Sequence, residues 1–278
     1  MTRPKGCAMS YSHRVGTGQV SPVLRPQSQM PAGQPRKGLP TGKTLRAMPL
    51  TRRYEAMWLG AEGEILDSTR LAPAMPLFEE AFSALARGAV LATTQGPVAV
   101  EDLVPGMQVM TAEGAEETVT WVGSMVIYPG RDGADGGAEP VTLTRVTAEA
   151  LGAGRPMQDV VLGPRARLCL HDTRLRRVAG YDAAYVPARA FVDGVSVIEV
   201  TPVAPVTVYH VVLQRHGSLK VAGLEVEAFH PGEGVERMID PRMLSLFAAQ
   251  FPQMPDLSGF GPQAHPRLTR FEVESLWD

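Results

Sequence analysis

From Ala89 to Tyr128 apolar and polar positions alternate with the period of two that marks half-buried strands. Ala89-Val90-Leu91-Ala92 and Pro97-Val98-Ala99-Val100, split by a Gln95-Gly96 turn, predict a tight β-hairpin. Glu101-Asp102-Leu103-Val104-Pro105-Gly106 then reverses the chain before a strand over Met107 to Thr111. Glu117 to Tyr128 predicts one long strand, with Thr118, Thr120 and Val122 on one face and Val119, Trp121 and Gly123 on the other. Upstream, Leu50 to Leu71 alternates around Gly60-Ala61-Glu62-Gly63, a hairpin carrying Trp58 as a large apolar anchor. Pro76 to Leu85 has the spacing of a short helix, with Pro76 in its first turn. Downstream, strands are expected over Val141 to Thr147, within Asp159 to Leu170, and over Ser196 to Pro202, Pro205 to Gln214 and Leu219 to Val226, with a helical turn at Ala148 to Arg155. An amphipathic helix over Pro241 to Phe251 presents Met243, Leu244, Leu246 and Phe247, and Pro252 to Asp278 reads as mostly irregular. The pattern is that of an all-β protein with short flanking helices.

Composition leaves this picture intact in the middle and changes it at the start. With 278 residues and 44% apolar content, one substantial core with appendages is expected. No apolar run approaches the roughly 20 residues that span a bilayer. No apolar segment follows the basic first residues, so neither membrane insertion nor secretion is expected, and the default location is the cytoplasm. Residues 1–47 hold 8 Lys or Arg and no acid, leaving 19 basic against 29 acidic residues and a net charge of −10 in the remainder. Rich in Pro, Gly, Gln and Ser, this stretch reads as a disordered basic tail, and Met48 as the start of the folded part. The tail could serve as an arm for nucleic acid or an acidic partner, although no aromatic platform accompanies its charge. Gly38 to Thr44 imitates a phosphate-binding loop but is one residue short, contains Pro40 and follows no strand.

The stretch ALARGAV, followed by GPVAVEDLVPGMQV, resembles the opening of the Hint family, the fold shared by hedgehog autoprocessing domains and inteins, in its bacterial stand-alone branch. There a Cys-Phe-Ala-Arg-Gly-Thr-like start leads to G-x-x-x-V-E-D-L-x-x-G-D-x-V. Further agreement comes from Val119-Thr120-Trp121-Val122-Gly123, from Val186-Pro187-Ala188-Arg189 through Gly194, and from Val208-Tyr209-His210 through Arg215-His216 and Ala222-Gly223. The resemblance implies a horseshoe of β-hairpins with pseudo-two-fold symmetry over residues 84–232. Residues 48–83 form a hairpin and helix leading into it, and residues 233–278 follow as a helix and irregular tail.

The same resemblance locates the chemistry. The family begins with an acyl shift in which a thiol attacks the preceding carbonyl. The nucleophile's position, three residues before Arg87, is Ala84. In L-x-V-S-P-x-H-R the His gives a proton to the leaving amide and neighbouring polar groups bind the oxyanion. Here Gly163 stands at the Ser position and Ala166 at the His position. Inteins end in His-Asn, which fall on Glu227 and Ala228. His210 and His216 lie an even number of residues apart and would share a face of a continuous strand, as a metal pair, a polar pair or an active-site remnant. Without a third ligand in view, no metal is expected there. Asp132 and Asp135, in the turn Pro129 to Glu139, lack the further ligands of a calcium loop. Cys7 and Cys169 are too few for a disulfide framework or a cysteine-based zinc site, and no cofactor is expected. On a regular strand both Cys169 and His171 face away from Ala166, His171 lying roughly 16 Å further along, so neither would restore the chemistry. Cys169 reads as a small buried hydrophobe.

Three functions follow from these residues. The first is a Hint-fold domain without autoprocessing chemistry, serving as a scaffold or interaction module for a protein partner. The second is residual self-cleavage by an N-to-O shift from Ser83 onto the Phe82 carbonyl. The third is binding through the basic tail. Enzymatic activity is not the expectation.

Overall fold

A computed structural model describes residues 50–129 and 141–277. The expected tail with its basic arm and loop-like motif, Cys7, Asp132 and Asp135 lie outside the described residues. No helix among those described is long and apolar enough to cross a membrane.

In chain order the strands are β1 (Thr51–Leu59), β2 (Ile65–Pro73), β3 (Leu85–Ala86), β4 (Val90–Thr93), β5 (Gly96–Ala99), β6 (Gln108–Met110), β7 (Glu116–Ile127) and β8 (Leu143–Val146). They continue as β9 (Val160–Leu162), β10 (Arg167–His171), β11 (Ala183–Pro187), β12 (Val197–Val200), β13 (Val206–Leu213), β14 (Ser218–Val221) and β15 (Leu224–Glu227). Among the described residues five short helices accompany them: α1 (Pro76–Glu80), α2 (Thr173–Ala179), α3 (Val235–Met238), α4 (Pro241–Ala248) and α5 (Arg270–Trp277). All the strand pairings are antiparallel, in the order β11-β10-β15-β14-β4-β6-β7-β13-β3-β9-β8-β12, with β1 also on β7, β2 on β1 and β5 on β4.

The long strand β7 holds this order together. Its first residues pair with β6, and further along it lies between β1 and β13. Trp121, Met125 and Ile127 are buried in one cluster, as the alternation predicts, whereas Val119 lies beyond a register shift against β13 and packs in another cluster. The Trp121 indole folds back over Gly123, where an added Cβ would lie 2.0 Å from the Trp121 ring and 2.6 Å from Phe82. Its N–H donates to the Gln250 carbonyl at 2.9 Å, so the polar edge of a fully buried ring is satisfied.

Around this indole converge rings from both ends of the folded chain. Tyr54 and Phe82 are 4.6 Å apart, Phe82 and Trp121 5.1 Å, Trp121 and Phe251 5.0 Å. Phe78 meets Phe247 edge-on at 5.7 Å, and Phe229 stacks on Phe251 at 5.4 Å. A second apolar cluster fills the remaining interior with residues of β4, β6, β9, β13, β14 and β15.

Three local expectations change. The helix expected over Pro76 to Leu85 stops at Glu80, because Leu85 is taken into strand pairing with Tyr209 and Leu162. Tertiary ladder bonds there override a weak helical propensity. Residues 148–155 form turns instead of a helical turn, with Glu149 at φ 61° and Gly152 and Gly154 also at positive φ. The tail expected to be irregular carries α5 and a parallel bridge from Arg267 to Tyr185.

The packing at Gly123 generates a stability prediction. Gly123→Ala should lower stability by about 1–3 kcal/mol, through displacement of Trp121 and Phe82. A denaturant midpoint equal to that of the parent would show that the indole has room to spare.

Candidate functional site

The junction Ser83-Ala84 is gripped on three sides by backbone. Ala84 N–H donates to the Tyr209 carbonyl of β13 at 2.9 Å, and the Ala84 carbonyl accepts from Gly163 N–H at 2.7 Å. The Ser83 carbonyl, preceding the nucleophile position, accepts from Arg165 N–H at 3.1 Å. Gly163 is required by this closeness, since a Cβ there would sit 2.1 Å from the Ser83 oxygen. A serine at 163 therefore conflicts with the observed backbone. The Ser83 and Ala84 backbones find their partners in Tyr209, Gly163 and Arg165, with no cysteine or histidine among them in the described residues.

The side chains here are small and buried. Ala84, Ala166 and Ala228 belong to one contiguous buried apolar cluster, so positions far apart in sequence share one dry interior. Ser83 is fully buried and its Oγ donates to the Glu79 carbonyl at 2.6 Å.

Ala166 precedes β10 and does not lie on it; its N–H closes the turn from Gly163 at 3.2 Å. Ala166 packs in the same apolar cluster as Leu168, apart from Cys169. Cys169 packs in a separate small cluster with Ala183 and Tyr185, and His171 bonds Glu225 near the end of β10.

His210 and His216 do not share a strand, because β13 ends at Leu213 and His216 lies in the turn beyond it. Both nevertheless reach the 227–228 segment. His210 Nε2 lies 3.2 Å from the Glu227 carbonyl and its Nδ1 2.7 Å from the Glu80 carbonyl. Burial pushes its pKa down to about 4, so the ring is neutral. The shorter contact assigns its single proton to Nδ1. His216 Nδ1 accepts from Ala264 N–H at 3.0 Å, which leaves Nε2–H to donate to the Ala228 carbonyl at 3.1 Å. With these nitrogens committed to backbone, the two rings are not arranged as a metal pair.

What occupies the polar side of the site is an ionic cluster that sequence reading missed. Glu227 is almost wholly buried, with Arg267 Nε at 2.8 Å, Arg167 Nη1 at 3.4 Å and His216 Nε2 at 3.6 Å. Burial alone would raise its pKa, but His216, Arg267 and Arg167 outweigh it and hold the carboxyl below its ordinary range. Arg267 also donates to the His230 carbonyl at 2.6 Å, and Arg167 pairs with Glu80. His230 Nδ1 accepts from Gly232 N–H and Nε2–H donates to the Gly261 carbonyl. Arg167 stands beside Ala166 in the motif and could have been suspected. Arg267, in a Pro-rich stretch, offered no periodic signal.

An antiparallel β protein organised around one clamped peptide unit is the class these features define. Residues 83–233 match the family model of the Hint domain, more than half of the chain, and the protein belongs to that family. A bacterial intein-like domain from Clostridium thermocellum, known from a solution structure, is similar at 15% identity and a TM-score of 0.36, over 53% of this chain and 99% of that one. No curated protein matches.

The two buried neutral histidines set an acid limit. Burial pushes His230, like His210, down to about 4. The unfolded chain therefore binds protons on both between about pH 6.5 and 4 while the folded chain does not. Stability should fall as pH drops through that interval, by up to about 3 kcal/mol per histidine, and be flat with respect to these groups above it. Denaturant midpoints measured at steps of pH should show this slope, reduced in His230→Gln; an equally steep variant would contradict the assignment.

Proposed function

We propose that this protein is a catalytically silent Hint-fold domain acting as a scaffold or interaction module. The observation that carries the reading is the joint burial of Ala84, Ala166 and Ala228 in one apolar cluster beside a fully hydrogen-bonded Ser83-Ala84 junction. The acyl shift needs a nucleophile and gains about 10²–10⁴-fold from a general acid; methyl groups supply neither. The N–H of Arg165 on the Ser83 carbonyl has the form of an oxyanion contact, yet polarising a carbonyl accomplishes nothing without an attacking group.

The surroundings support the same reading. Residues preceding and following the Hint match contribute Tyr54, Phe78, Phe247 and Phe251 to the aromatic core, so neither flank is built as a segment to be released. Ser83 spends its hydroxyl proton on the Glu79 carbonyl, an arrangement suited to capping the end of α1.

Purified full chain incubated with dithiothreitol or with hydroxylamine should keep its translated mass. Loss of an N-terminal fragment ending at Phe82, abolished by Ser83→Ala, would replace the silent reading with an N-to-O shift. A fragment ending at Ser83 would do so with chemistry at Ala84's own junction.

A further inference from the structure

Away from the clamped junction, β10 and β15 bring together a thiol, an imidazole and a carboxylate. Cys169 and His171 are two residues apart on β10 and so project to the same face. β15 runs antiparallel beside β10 with Leu168 opposite Val226, which sets the next pair, Cys169 and Glu225, across from each other. One ligand atom from each of Cys169, His171 and Glu225 lies within 4.8 Å of the others, and His171 Nε2 is 2.6 Å from Glu225 Oε2.

We propose that Cys169, His171 and Glu225 form a binding site for a divalent transition metal of the zinc type. Sulfur, imidazole nitrogen and carboxylate oxygen are a donor set that Zn²⁺ accepts in tetrahedral geometry, at about 2.3 Å for sulfur and about 2.0–2.2 Å for nitrogen and oxygen. Their mutual separation requires only small side-chain adjustments to converge on one ion.

The electrostatic setting agrees. The Glu225 and Glu113 carboxylates lie near the Cys169 thiol, which burial above all pushes up to about 12, so the sulfur is protonated before an ion arrives. A dication offsets the carboxylates. Ligation breaks the S–H bond, forms the metal–sulfur bond and passes the proton to solvent.

Access is open from one side. Cys169 is buried, whereas the His171 side chain is 52% exposed at the strand's end, so an ion can enter without unfolding the sheet. His265 stands alongside, its ring 6.5 Å from that of His171 and its Nε2 3.5 Å from Glu113. Water or His265 completes four-coordination. The ion would join β10 to β15, where a single backbone register pair connects them.

Titration of the full chain with Co²⁺, a coloured substitute for zinc, tests this. One equivalent should produce sulfur-to-cobalt charge-transfer absorption that Zn²⁺ abolishes. The absorption should vanish in Cys169→Ser and persist in Cys7→Ser. His171→Ala, at an exposed position that leaves folding intact, and Glu225→Gln should each weaken affinity about tenfold or more. No charge-transfer absorption at a hundredfold excess of Co²⁺ would overturn the proposal. So would absorption that survives Cys169→Ser, or affinity unmoved by His171→Ala.

Discussion

The Trp121 indole is the constraint from which most of the structure follows. It fills the space above a glycine two residues along its own strand, hydrogen-bonds a carbonyl 129 residues away, and packs against both Phe82 and Phe251. Ring contacts of this kind contribute about 0.5–1.5 kcal/mol each beyond buried area, so each is a sizeable fraction of a domain's net stability. The segments before and after the Hint match are thereby parts of a common core. Phe82 sits two residues before Ala84, so the ring packing and the Ser83-Ala84 junction are held by the same few atoms of backbone.

That coupling fixes the shape of the junction through backbone bonds and ring packing. The junction is fixed by three backbone hydrogen bonds that do not depend on the side chain at 84, and Gly163 permits the approach that makes two of them. Where autoprocessing would need a thiol and an imidazole, methyl groups extend the apolar interior. The remaining polarity is gathered into the Glu227 cluster, in which two arginines and a histidine surround one carboxylate. Buried ion pairs of this sort add little net stability against well-packed apolar substitutes, but removing one partner is costly, which fixes the geometry. Through Arg267 the cluster ties the segment before α5 back to β15.

The sequence made the central strands legible because each carries its own period: β7, the β4–β5 hairpin and the β1–β2 hairpin follow from alternation and turn residues alone. The hairpin loop falls at Thr94-Gln95, one residue before the Gln95-Gly96 expected, since Thr93 pairs with Gly96. The structure gathers Ala84, Ala166 and Ala228 into one apolar cluster and brings His210 and His216 to the 227–228 segment, whereas the motif did not reveal that Gly163 answers to the Ser83 carbonyl. Ala166 itself lies in the turn before β10, a boundary that strand parity does not show. Arg267 and α5 escaped notice for a different reason: their positions are set by tertiary contacts of a Pro-rich stretch with β11, and nothing local encodes them.

The account turns on the Ser83-Ala84 junction being a rigid structural element instead of a poised reactive bond. Native-state hydrogen exchange at the amides of Ala84, Gly163 and Arg165 measures this directly, since these three donors hold the junction. All three should exchange only as slowly as the most protected core amides, through global unfolding. Rapid exchange by local opening, with the core of β7 still protected, would show a loose and accessible junction and contradict the account.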